Sequence, residues 1–172
     1  MQFAKDSFYI ALRDRLAALD PSRIVLIDGV PLVALLVEEN GPATCAKMAP
    51  GAYYVTWGAA RVLDKHQDGS RPAIAIDCSV SYWTGGTAEA GVDRGRVLGQ
   101  LDTELMAICH PPTTAKRDFT QSPSLDLGTN IFWTSPQLEE VKPAPGLSGS
   151  GADALYRRAH LTVFFFPEME LS

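Results

Sequence analysis

PAIAIDCSVSYWTGGTAEAGVDRGRVLGQLDTELMAIC, residues 72–109, places the chain's clearest strand directly before its second clear helix. Ile74, Ile76, Cys78, Val80 and Tyr82 alternate with Ala75, Asp77, Ser79, Ser81 and Trp83. That period of two predicts a strand with one plainly apolar face. After Thr87 the period lengthens, and Val97, Leu98, Leu101, Leu105 and Ile108 form the stripe of an amphipathic helix. Thr87 is a candidate N-cap with Glu89 in the favourable first turn, and His110-Pro111-Pro112 stops the helix. Gly91, Gly95 and Gly99 stand four apart in this reading. Each glycine inside a helix costs about 1 kcal/mol relative to alanine. Residues four apart are surface neighbours, so the three make a smooth strip that another backbone can approach closely. The partner is either the rest of the same chain or a neighbouring subunit, and both stay open at this level.

Working outward, Phe8, Leu12, Leu16 and Leu19 mark an N-terminal amphipathic helix that ends at Asp20-Pro21-Ser22. RIVLIDGVPLVALLVEE follows as two apolar runs about Asp28-Gly29, a hairpin signal, and Pro31 assigns the second run to a sheet edge. AYYVTWGAARVL is aromatic and β-branched and reads as a strand. Residues 111–130 are polar and loop-like, NIFWT is a short strand, and residues 136–153 have the Pro, Gly and Ser content of a flexible excursion. LYRRAHLTVFFFPEMEL is a last long strand, bent at Pro167. The order predicts a single α+β domain over residues 1–172, a mostly antiparallel sheet with two main helices packed on one face.

The 172 residues are 46% hydrophobic and 20% charged, an ordinary globular balance. A net charge of −5 opposes non-specific attraction to nucleic acid or an anionic membrane. Cys45, Cys78 and Cys109 are too few and too scattered for a disulfide framework, so a reducing compartment is expected. Lys5, Asp6, Arg13, Asp14 and Arg15 break up the apolar residues near the start, unlike a signal peptide. No run is long and apolar enough to cross a bilayer.

Catalytic signatures are missing. There is no phosphate-binding GxxxxGK[ST], no dinucleotide GxGxxG and no GxSxG elbow. Buried cysteines and surface histidines account for Cys45, Cys78, Cys109, His66, His110 and His160 better than a metal site assembled from four segments. Asp93, Asp102 and Glu104 alternate with Arg94 and Arg96, as a solvated face or a subunit contact would. Arg157 and Arg158 are adjacent in a strand and so point to opposite faces. No enzymatic activity, cofactor or metal is expected. The rival expectation is a small enzyme with a site near Asp77, Cys78 and His110.

The SYWTGG strand end, the TAEAG turn and the helix DRGRVLGQLDTELMAI, with FYIALRDRLAAL before and RRAHLTVFFF after, resemble the bacteriophage tail terminator and tail-completion family. That resemblance implies a ring, commonly a hexamer, which caps the tail tube, ends its polymerisation and faces the neck or head while DNA passes through its hole. The partners it implies are further copies of the chain, the tail tube protein and neck, connector or sheath proteins, in a virion tail assembled in host cytoplasm. Contractile tails and injection devices carry similar rings, and another head–tail connector or neck protein is the nearest alternative. In this reading Gly91, Gly95, Gly99, Arg94, Arg96 and Arg157 are candidate subunit contacts. Glu139, Glu140 and Lys142 are candidate contacts to tube or neck.

Overall fold

The computed structural model describes residues 1–38, 48–63, 72–88, 91–144 and 154–167. In chain order it has α1 (Gln2–Leu19), β1 (Ile24–Ile27), β2 (Val30–Val33), β3 (Leu35–Val37), β4 (Tyr53–Val62), β5 (Ile74–Thr84) and α2 (Arg94–Ile108). Then come β6 (Thr113–Asp118), β7 (Leu125–Trp133), β8 (Gln137–Leu138), β9 (Lys142–Pro143) and β10 (Leu155–Phe165). The expected α+β class holds. The main sheet has eight strands in the order β3-β4-β5-β10-β7-β6, with β8 and β9 also paired to β10. Every pairing in it is antiparallel except β3 with β4. Strands β1 and β2 form a separate two-stranded hairpin turned by Asp28 and Gly29, both at positive φ, the geometry that favours an Asp-Gly turn.

Two segments depart from the sequence expectation. Residues 111–130 are not a loop, since β6 and most of β7 form a hairpin there. Its residues lack apolar alternation because neighbouring main chain and polar side chains hold it. The Arg117 N–H donates to Ser7 Oγ of α1 at 2.9 Å, and the buried Lys116 ammonium donates to the Phe166 carbonyl at 2.6 Å. Part of the excursion at 136–153 is also ordered into strand. After Trp133 the chain follows β10 backwards, pairing Leu138 with Ala159 and Lys142 with Tyr156. Residues 145–153 lie outside the described residues.

Both helices cover one face of the sheet. Ala4, Phe8, Leu12 and Leu16 of α1 are buried on the side of β3, β6 and β7, and Leu98, Leu101, Leu105 and Ile108 of α2 are buried over β5 and β10. Phe8 stands edge-on between Trp57 and Trp133, at centroid distances of 5.5 and 5.2 Å, the arrangement aromatic quadrupoles favour. Arg15 of α1 donates to the carbonyls of Ile108, Pro111 and Thr113 at 3.0, 2.8 and 2.9 Å. Its guanidinium also lies over the Trp133 ring. It therefore satisfies acceptors at the negative end of α2 and fixes the two helices to each other.

A polar row sets the height and rotation of α2. Register places Arg157 opposite Tyr82 and, by continuation, Tyr53 on the other side of Tyr82. The two tyrosine rings meet edge-on at 5.2 Å. Tyr82 donates to Asp102 at 2.6 Å and Arg157 to the same carboxylate at 3.0 Å. The Tyr53 hydroxyl shares its one proton between Glu104 at 2.8 Å and the Leu101 carbonyl at 2.6 Å, and Arg23 grips Glu104 at 2.9 and 3.0 Å. Two residues span about 200° of helix, so Asp102 and Glu104 occupy opposite shoulders of the Leu101–Leu105 stripe. The sequence expectation of a solvated or intersubunit role for these two is therefore corrected: both turn inward. Buried tyrosine hydroxyls need hydrogen-bond acceptors, and a buried arginine needs a counter-charge, where water is excluded.

Burial, then the charge and hydrogen bond of Glu104, raises the Tyr53 phenol far above the ordinary value. Burial followed by the Asp102 hydrogen bond does the same to Tyr82. A group raised on folding contributes stability that is complete below its unfolded value, about 10 for tyrosine, and lost as pH rises beyond it. In an alkaline titration, phenolate absorbance from Tyr53 and Tyr82 is expected only together with loss of near-ultraviolet circular dichroism. Full ionisation of all five tyrosines with the fold intact would contradict the row. Arg157→Met leaves Asp102 largely buried without its cation and is expected to lower unfolding stability by about 2–4 kcal/mol. Denaturant melts check it, and a loss under about 0.5 kcal/mol, ordinary for a surface change, would contradict it.

Candidate assembly surface

The helix expected after Thr87 begins later, at Arg94. Thr87 is not its cap. Instead Asp93 occupies the cap position and turns back, accepting the Thr87 and Ala88 N–H groups at 3.0 Å each and the Thr87 hydroxyl. The Thr87 side-chain bond, then the Ala88 N–H, hold the Asp93 carboxyl at about 2. Acceptance of several donors by the charged form is the cause. Glu89 lies outside the described residues. Gly91 therefore stands in the turn ahead of the helix, at a φ of +63° with the Gly85 carbonyl 3.2 Å from where a Cβ would be. Its glycine is explained by backbone conformation and close approach within the chain.

Gly95 and Gly99 do lie in α2, and they answer differently. A Cβ built on either would meet nothing within 4 Å. Both are exposed on the face opposite the buried stripe. Close packing within the chain, one of the two explanations open from sequence, therefore does not account for them among the described residues. Arg96 is exposed on the outer side of the helix, whereas Arg94 is half-buried with its Cγ 3.1 Å from where a Gly86 Cβ would be. Arg157 faces inward, bonded to Asp102 and to the Glu139 carbonyl at 2.7 Å. Arg158 turns the other way, toward Ser81.

The candidate contacts near the second excursion form a small surface cluster. Glu139 bonds His160 of β10 at 2.5 Å and Lys142 at 3.0 Å, and those two bonds, His160 first, hold its carboxyl at about 2. Glu140 is exposed beside them. The cluster pins the β8–β9 segment onto β10 and leaves Glu140 and the outer side of Lys142 to solvent.

Asp77, Cys78 and His110 do not converge. Asp77 lies on the open face of the sheet, bonded to Arg61 at 2.6 Å, while Cys78 is buried on the helix side and His110 is exposed beyond α2. Burial pushes the Cys78 thiol well up and the neighbouring Cys109 thiol to about 12, so neither is a ready nucleophile. Among the described residues no three His, Cys, Asp or Glu side chains form a metal-holding group.

The surface that sequence reasoning undervalued is the β1–β2 hairpin. It shares no ladder with the main sheet. Leu26 is 71% exposed, Ile24 and Val30 are 55% exposed and Leu32 is 41% exposed. The Asp-Gly turn announced the hairpin, but a run with apolar residues on both faces looks in sequence like a buried strand. Val25 is buried and Ile27 and Val33 pack on the core, and only the hairpin's separation from the sheet reveals that its other apolar residues are outside.

No family model matches this chain, and no curated protein matches it. Among solved structures, a chain of the "Virion of native gene transfer agent (GTA) particle" is similar, with 14% identity, 95% of this chain and 94% of that chain covered and a TM-score of 0.38. This is a distant structural likeness to a virion protein.

Proposed function

We propose that this chain is a structural subunit of a phage-type tail terminator ring, which caps the tail tube, ends its polymerisation and joins it to the neck. The observation that carries the reading is the outer face of α2. In this helix of 15 residues, a Cβ built on Gly95 or Gly99 would meet nothing within 4 Å among the described residues. Gly99 lowers helix propensity by about 1 kcal/mol, and Gly95 in the first turn lowers it by less. A neighbouring subunit whose backbone approaches that face supplies the compensation that the isolated subunit does not. The exposed apolar hairpin supports the same view, because large apolar patches on a soluble chain mark association surfaces.

The ring reading also accommodates the charge. A net −5 suits a lumen along which DNA slides without sticking. Glu140 and Lys142, displayed on the β8–β9 segment, are the contacts offered to tube or neck. The ring is expected to be a hexamer, to act without cofactor or catalysis, and to belong to the virion tail. A neck or connector ring would share its symmetry and differ in the protein bound.

Gly95→Ala with Gly99→Ala is expected to raise the stability of the isolated subunit by about 1–2 kcal/mol, since alanine favours helix and meets no clash. Gly95→Leu with Gly99→Leu keeps the subunit folded yet abolishes rings in negative stain. Rings that form normally in the leucine variant would remove the α2 face from the interface.

A further inference from the structure

A ring built by rotation needs two different surfaces on each subunit, one that gives and one that receives. Resting on the ring reading, we infer that the β1–β2 hairpin of one subunit lies in the groove between the end of α1 and the outer face of α2 of the next copy. The hairpin is the giving surface. Register puts Ile24 beside Val33 and Leu26 beside Pro31 on one face, where Ile24, Leu26 and Pro31 are exposed and Val33 packs on the core. A two-stranded hairpin held to its own core by few residues is marginal in water, so its exposed apolar residues call for cover.

The receiving groove is lined by Leu19, Arg96, Gly99, Gln100, Thr103 and Ala107. Leu19 is an exposed apolar wall, and the small side chains of α2 form a low floor. Dimensions agree. A stem of four residues per strand is about 13 Å long, and α2 from Arg96 to Ala107 runs about 16 Å.

Charge sets the direction. Asp28 at the turn is the only charged residue of the hairpin, residues 24–33, and Arg96 is exposed at one end of the groove. The two carboxylates that also line the groove are engaged, Asp20 by Ser22 and Glu104 by Arg23. The tip therefore points to Arg96, with Leu26 over Thr103. Ridge and groove are different surfaces, so each subunit gives to one neighbour and receives from the other.

The test is disulfide trapping in the full chain carrying Cys45→Ser, with Leu26→Cys and Thr103→Cys singly and together. Cys78 and Cys109 are buried and stay silent. The double variant is expected to give a ladder of covalent oligomers on mild oxidation, and neither single variant is. Asp28→Arg or Arg96→Asp is expected to raise the concentration needed for assembly about tenfold, with recovery in the combined swap, as for an interfacial charge pair. Assembly without a ladder overturns this contact and leaves the ring. A covalent dimer from Leu26→Cys alone overturns it in favour of hairpin against hairpin. A strict monomer at every concentration overturns both the contact and the ring.

Discussion

The arrangement of this protein depends on how α2 is held to the sheet. Leucines alone would allow the helix to slide or roll, because apolar contact is non-directional. The row of Tyr53, Tyr82 and Arg157 removes that freedom. Its polar ends meet Glu104 and Asp102 at hydrogen-bond distance on opposite shoulders of the stripe, and Arg23 closes the row at one side. Such groups are costly to leave unpaired where water is excluded, so one rotation of the helix gives each of these side chains a partner, with Arg157 Nε alone left unbonded in the row. Arg15 fixes the far end of the helix in the same way.

Fixing the inner face determines what lies outside. With Asp102 and Glu104 turned in, the exposed side of α2 is left with Gly95, Gly99, Thr103 and Ala107 beside Arg96, Gln100 and the exposed Met106. That face bears little charge, and Met106 is its one large apolar side chain. The Arg23 that grips Glu104 stands directly before the hairpin, so one ion pair ties the root of the apolar projection to α2.

Much of the fold was legible in sequence, and the reasons are physical. The long strand β5 alternates cleanly because one face is buried and the other is open, and α1 shows a plain stripe because it covers a single face. The β6–β7 hairpin was illegible because Lys116 and Arg117 are held by backbone and hydroxyl partners that no periodicity announces. The start of α2 was misjudged because Thr87 does bond across six residues, but to Asp93 as an acceptor rather than to a helical N–H. At the candidate surface, the glycine spacing was visible but its meaning was not. Gly91 serves a turn, and only Gly95 and Gly99 face outward. Arg157 was offered as a subunit contact on the ring resemblance alone, and the carboxylate that turns it inward lies 55 residues away in sequence.

The measurement that tests the central claim most directly is the mass of the purified chain by light scattering across a wide concentration range, with negative-stain images of the same samples. The account predicts a discrete assembly of several subunits, seen as rings with a central hole. A chain that stays monomeric at every concentration and shows no rings would contradict it.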